Sequence, residues 1–248
     1  MSGLAVATQI FTVTNNVATN VDNGLRIAAY AFNFATVSQA IDVAGNSFSD
    51  DVNGIVIRGG VGFTGGTVSQ GLTIADNTLS VNSGYGLFVK ANGYQFGFVT
   101  QTGSVTSNTI TDNRFGRAGA IFHASGHQAL GGVQTMAFAG NTISHNENGL
   151  EARAAYDGGL QNFTFASNTI ASNSLAGIKV DAIAASPTQT LSLLAGSGNH
   201  VVGNAGPGVF LYNLHPANQT FNINGNDVSG NNGGGPQTVV IGTGVINP

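Results

Sequence analysis

The chain contains no cysteine and no tryptophan, and only 7% of its 248 residues are charged, against roughly a quarter in an ordinary globular domain. Without cysteine there are no disulfides and no thiolate metal sites. Seven basic residues stand against eleven acidic ones, a formal charge of −4. The dense Lys and Arg clusters on which general nucleic-acid binding depends are therefore missing. No apolar run reaches the length of a membrane-spanning helix, about eighteen residues or more. The opening Met-Ser-Gly-Leu also lacks the basic segment and apolar stretch of a secretory leader. This is expected of a mature or trimmed form, or of a chain that leaves the cell without a cleaved leader.

What remains is rich in glycine, 37 residues, and 42% hydrophobic. Disordered chains combine low hydrophobicity with high charge, so this one folds, and it meets water through Asn, Ser, Thr, Gln and Gly. That balance suits a β-rich protein with many tight turns.

A repeat runs through the whole sequence: Gln-x-φ-x-φ-x-x-Asn-x-φ-x-x-Asn, a few residues, then Gly-φ-x-φ, with φ apolar. The first Asn falls at Asn16, Asn46, Asn77, Asn108, Asn141, Asn168, Asn199 and Asn226, at intervals of 27 to 33 residues. Seven positions earlier stand Gln9, Gln39, Gln70, Gln101, Gln134, Gln161 and Gln219, with Ser192 in that place in the seventh repeat. A second Asn follows five residues after the first, from Asn82 to Asn231, with Asp51 in the second repeat. Apolar residues alternate between these markers, as in Ile41/Val43, Phe163/Phe165, Ile55/Ile57 and Ile178/Val180. Alternation with period two means strands buried on one face. No apolar helical segment is present to cover a sheet, so the strands must bury one another. The repeat then reads as one coil of three short strands, about eight coils stacked at ~4.8 Å, in a single domain over residues 1–248. Asn tolerates the left-handed backbone of a sharp bend, and identical amides stacked coil over coil hydrogen-bond along the axis. The Gln column shares parity with the buried positions and is expected to form a second amide ladder.

Stretches such as Gly140-Asn-Thr-Ile-Ser-His-Asn, and Ser167-Asn-Thr-Ile-Ala-Ser-Asn with its following Gly177-Ile-Lys-Val, make the chain resemble the right-handed parallel β-helix superfamily, the pectate-lyase-like fold. The resemblance covers essentially the whole sequence. It implies a scaffold shared by lyases, hydrolases, epimerases, phage tailspikes and adhesins, so fold alone does not choose among them. It also implies that a polysaccharide cleft would lie on the face of the third strand. The polygalacturonase pattern of paired Asp before the buried strand, with Gly-His-Gly on a neighbouring coil, is not met. Asp50-Asp51 is the only acidic dipeptide, Asn53-Gly54 precedes the strand, and Gly126-His127 falls two to three coils further on. The calcium-lyase pattern of clustered carboxylates with a basic proton abstractor has only Glu151, Asp157 and Asp181 with Arg153 or Lys179 to fill it. No cofactor is expected otherwise.

Charge placement is the remaining signal. Five of the seven basic residues fall on the third strand: Arg26, Arg58, Lys90, Arg153 and Lys179. In the Gly-φ-x-φ-x frame the outward pairs read Arg26/Ala28, Val56/Arg58, Phe88/Lys90, Ile121/His123, Glu151/Arg153, Lys179/Asp181 and Phe210/Tyr212. Stacking makes these a basic and aromatic stripe, with Arg58, Lys90, His123, Glu151, Arg153, Lys179, Asp181 and Tyr212 as candidate contacts for an acidic glycan. Cations pair with uronate carboxylates, and rings stack on sugar faces. The plainer alternative is that Glu151, Arg153, Lys179 and Asp181 form a salt-bridge patch between adjacent coils. His123 and His127 lie four apart on a strand end and loop, where surface polar filling is a more ordinary role than metal ligation.

Loops after the third strand vary most in length and carry Gly62-Phe63, Tyr94, Phe96 and Phe98. Neither end reads as a cap: Gln9–Asn16 is already a full strand, and Thr238-Val-Val-Ile241 is already a third strand. Uncapped coils expose unpaired backbone and core, so the expectation is head-to-tail self-association in repeat phase, with open filaments as the product. The overall expectation is an extracellular or cell-surface structural or adhesive solenoid. A polysaccharide lyase, epimerase or hydrolase acting on an acidic glycan at the third-strand face is the alternative, and a phage or toxin receptor-binding module a third.

Overall fold

The alternating apolar residues form three parallel sheets of nine, eight and eight strands, each pairing only with strands one coil before or after. The computed structural model describes residues 5–62, 65–94, 96–113, 118–126, 131–155, 158–183, 187–213 and 218–248. The first sheet runs from Val6–Thr14 to Val245–Asn247, the second from Val17–Thr19 to Asp227–Ser229, and the third from Asn23–Ala31 to Thr238–Ile241. The sheets run unbroken along the axis, so the coils form one continuous solenoid. Its lumen is filled by Ile41, Val43, Ile55, Leu87, Phe122, Phe138, Phe163 and other side chains from the alternating positions. Phe122, Phe138, Phe163 and Phe165 pack edge-on or stacked with centroids 4.8–5.5 Å apart, as aromatic quadrupoles favour.

The expected ladders are present. Along the first Asn column each Nδ2 donates to Oδ1 of the next coil, from Asn16 to Asn226. Each backbone N–H of that column donates to the same oxygen. The second column repeats the arrangement from Asn82 to Asn231. The ladders thus satisfy backbone donors at bends where the sheets cannot. The left-handed residue is not the ladder Asn, as expected, but the one before it: Asp76, Ser107 and Ser167 precede the first column, and Asp112, His145 and Ser172 the second. That twist turns the following Asn inward. Space for the second ladder comes from a glycine column, since a Cβ at Gly119 would lie 2.6 Å from Asn146 Nδ2 and one at Gly149 2.8 Å from Asn173 Nδ2.

The Gln ladder runs the other way, each Nε2 donating to Oε1 of the preceding coil. Its seventh rung is Gln189, which pairs in register with Gln161 and Gln219, not Ser192. In coil seven Asn199 stands ten positions after its Gln instead of seven. The three extra residues sit in the bend between Leu193 and Asn199 and shift the apparent phase.

The C-terminal end also departs from expectation, because the ladders there are closed by the chain itself. Gln237 Oε1 accepts from Asn231 N at 2.8 Å, and its Nε2 donates to Asn231 O and Gly235 O. Asn226 Nδ2 turns back to Ile223 O, and Asn213 Nδ2 donates to Gln219 Oε1. Val245–Asn247 already occupies the ninth place in the first sheet. A second copy stacked there through its own Val6–Thr14 would leave the other two sheets one strand behind.

Candidate functional site

The third sheet brings the charged stripe together in the expected columns. One outward column reads Arg26, Val56, Phe88, Ile121, Glu151, Lys179, Phe210; the next reads Ala28, Arg58, Lys90, His123, Arg153, Asp181, Tyr212. Parallel pairing forces this, because residues in register on successive coils lie one strand spacing apart, ~4.8 Å. Each strand is also held from within the lumen. Gln70 and Gln101 donate to the carbonyls of Arg58 and Lys90 themselves, at 3.3 and 3.0 Å.

The stripe divides into two electrostatic halves. On coils five and six, Glu151, Arg153, Lys179 and Asp181 make a checkerboard in which every charge faces an opposite one both along its strand and across to the next. The N–O distances are 3.3–4.0 Å. Glu151 is fully buried and Asp181 nearly so, while Arg153 and Lys179 side chains keep about a quarter of their surface exposed. This patch neutralises itself, as the plainer alternative anticipated. Lys179 Nζ also stands 5.9 Å from the Tyr212 ring.

Coils two to four differ. Arg58, Lys90 and His123 follow one another in register, and among the described residues no carboxylate lies within 4.0 Å of any of them. Arg58 Nε and His123 Nε2 are buried without a hydrogen-bond partner. Burial, then the Lys90 and Arg153 charges, press the His123 pKa down to about 3, so the imidazole is neutral and separates Lys90 from Arg153. Burial, then Arg58, lowers Lys90 as well. Among the described residues the unneutralised positive charge of the face thus lies at Arg26, on the exposed first coil, and at Arg58 and Lys90 on adjacent rungs. The Arg58 guanidinium lies over the Phe88 ring at 5.3 Å, and Tyr85 stacks on Phe88 at 5.2 Å.

Among the described residues, hollows open on this face at either end of the stripe. One, of about 90 Å³, is lined by Tyr30, Arg58, Gly59, Gly60, Lys90 and Asn92. The other, of about 360 Å³, sits where the strands of coils five to seven begin, with Glu147, Glu151 and Lys179 facing Leu175, Pro207 and Phe210. Sequence reasoning missed Tyr30, Asn92 and Tyr85. The first two continue the same outward alternation, two residues beyond Ala28 and Lys90, so a longer frame would have found them. Asp51, half of the acidic dipeptide, is a buried rung of the second ladder whose Oδ1 accepts from Val21 N; it does not face the third sheet. Asp157, His127, Phe63 and Met1–Leu4 lie outside the described residues. Among the described residues no three His, Asp or Glu side chains converge to hold a metal ion, and no helix is long and apolar enough to cross a membrane.

Comparison with curated proteins and with solved structures returns no match. The family model of the right-handed β-helix region matches residues 60–245, three quarters of the chain. With its stacked parallel coils and amide ladders, this chain belongs to the right-handed β-helix family.

Proposed function

We propose that this solenoid is an adhesive, structural protein of the cell exterior, and that it holds an acidic polysaccharide lengthwise along its third sheet. One observation carries the reading: Arg58 and Lys90 stand on adjacent rungs with no carboxylate within 4.0 Å among the described residues, in a chain whose net charge is −4. Five of seven basic residues share this face. Aromatic platforms punctuate the stripe, Tyr30 on the first coil, Tyr85 and Phe88 on the third, and Phe210 and Tyr212 on the seventh, so the outermost, Tyr30 and Tyr212, lie six rungs or roughly 29 Å apart at strand spacing. That is the arrangement a chain of uronate sugars would use, with carboxylates on the cations and ring faces on the aromatics. The carboxylates of coils five and six are engaged with Arg153 and Lys179, which favours holding a glycan over cleaving it.

The reading is tested by passing the protein over immobilised polygalacturonate and over a neutral glucan, while following unsaturated-product absorbance and reducing ends with and without calcium. Retention by the uronate polymer alone, weakening with salt and with no product, is the expected result. Product formation would move the chain to the lyases or hydrolases, and indifference to both polymers would defeat the proposal.

A second reading, end-on self-association, has one observation in its favour. Val6, Ile10 and Val17 on the first coil are 72%, 78% and 79% exposed, along strand edges that pair on one side only, and such edges attract further strands. The closed ladders and the extra first-sheet strand at the other end weigh against a head-to-tail filament. Sedimentation at several concentrations decides it: a monomer throughout removes this reading.

A further inference from the structure

We propose that the notch between Tyr30, Arg58, Lys90 and Asn92 is a preformed site for a single oxyanion carried on a sugar, either a uronate carboxylate or a sulfate ester. The inference rests on the third-sheet face being a glycan track, and it assigns that track's charged anchor.

Register builds the notch. The strands Asn23–Ala31, Asn53–Val61 and Leu87–Asn92 align Ala28, Arg58 and Lys90 in one column and Tyr30, Gly60 and Asn92 in the next. Two cations and one amide therefore converge over a floor made by Gly59 and Gly60. A Cβ at Gly60 would lie 2.8 Å from two carbons of the Tyr30 ring, so any side chain there would lift the ring and close the notch. At about 90 Å³ the space has room for a few water molecules, the scale of one carboxylate or sulfate and too small for a sugar ring. The ring would rest outside it, on the half-exposed face of Tyr30.

The donors are oriented before a ligand arrives. Ser125 Oγ donates to Asn92 Oδ1 at 2.5 Å, which leaves the amide nitrogen as the end able to donate to an anion. The Arg58 guanidinium lies over the Phe88 ring, 5.3 Å from its centroid, and Arg58 Nε is buried with no hydrogen-bond partner among the described residues. Gln70 and Gln101 fix the two backbone carbonyls beneath. Placing like charges on adjacent rungs is unfavourable by itself, and burial with Arg58 nearby already draws the Lys90 pKa down. An oxyanion between them relieves both costs and accepts charge-assisted hydrogen bonds from both.

The full chain is titrated calorimetrically at fixed ionic strength with sodium galacturonate, with sodium sulfate and with glucose. Saturable one-to-one binding of an oxyanion, with none of glucose, is expected, and the tighter of the two anions identifies the carboxylate or the sulfate as the natural source. Lys90→Gln and Asn92→Leu should each weaken it by about tenfold or more, whereas Arg153→Gln should leave it unchanged. Circular dichroism confirms that each variant folds. Heats that rise without saturation, or equal affinity in Lys90→Gln and the parent, overturn the notch. Polymer retention without monoanion binding would reject the notch alone; monoanion binding without polymer retention would reject the track alone.

Discussion

Asp51 occupies a ladder position that an amide fills on the coils above it. Its Oδ1 accepts from Val21 N, but Oδ2 is buried and has no partner, where an Asn would present Nδ2 to Asn82 Oδ1. Asp51→Asn should complete the rung and raise stability by about 1–2 kcal/mol, read from urea unfolding. The reverse experiment belongs in the middle of the stack. Asn108 receives Asn77 N and Nδ2 and donates to Ile74 O, Thr106 O and Asn141 Oδ1. Asn108→Ala strands several buried groups and should cost at least about 3 kcal/mol, while Asn16→Ala, on the exposed first coil, should cost about 1 kcal/mol or less. His123 gives a pH signature. Its pKa of about 3 in the folded chain lies below the ordinary value near 6.5, so between these values the unfolded chain binds the extra proton. Stability is therefore complete above about pH 6.5 and falls as the pH drops towards 3. Thermal midpoints taken between pH 7.5 and 4.5 should decline in the parent and decline less in His123→Gln.

Each strand-and-bend unit was legible because a ladder demands the same residue at the same place on every coil. Repetition of Asn and Gln is therefore a physical requirement and not a family habit. The reading slipped where one coil broke the spacing: three extra residues before Asn199 hid Gln189 behind Ser192. It slipped again at the bends, since the left-handed twist falls on the residue before the ladder, where Asp, Ser, His and Gly all serve. The alternation also gave the outward stripe in correct register, but not which cations are free. That depends on Glu151 being deep enough to engage both Arg153 and Lys179, a matter of depth that no spacing records. The last coil adds an element-scale test. Gln237 stands in for a further rung above Asn231, so Gln237→Ala should cost about 1 kcal/mol and accelerate amide exchange at Asn231, with the middle coils unchanged. Undiminished protection at Asn231 would mean that Gln237 closes nothing.

Across the whole molecule, charge is separated from scaffold. The amide ladders and the apolar lumen run through every coil and hold the stack mainly by amides and packing, which leaves one face able to carry most of the basic residues of a net acidic chain. On that face one half is neutralised internally and the other is not, and the account of function turns on this division. The most direct measurement is the affinity of an oligogalacturonate for two variants at one ionic strength, Arg58→Gln with Lys90→Gln, and a fourfold variant that combines Glu151→Gln, Arg153→Gln, Lys179→Gln and Asp181→Asn. The account predicts that the first variant abolishes binding and the second leaves it within about threefold of the parent, since that patch is neutral before and after the exchange. Equal loss in both, or loss only in the second, would contradict it.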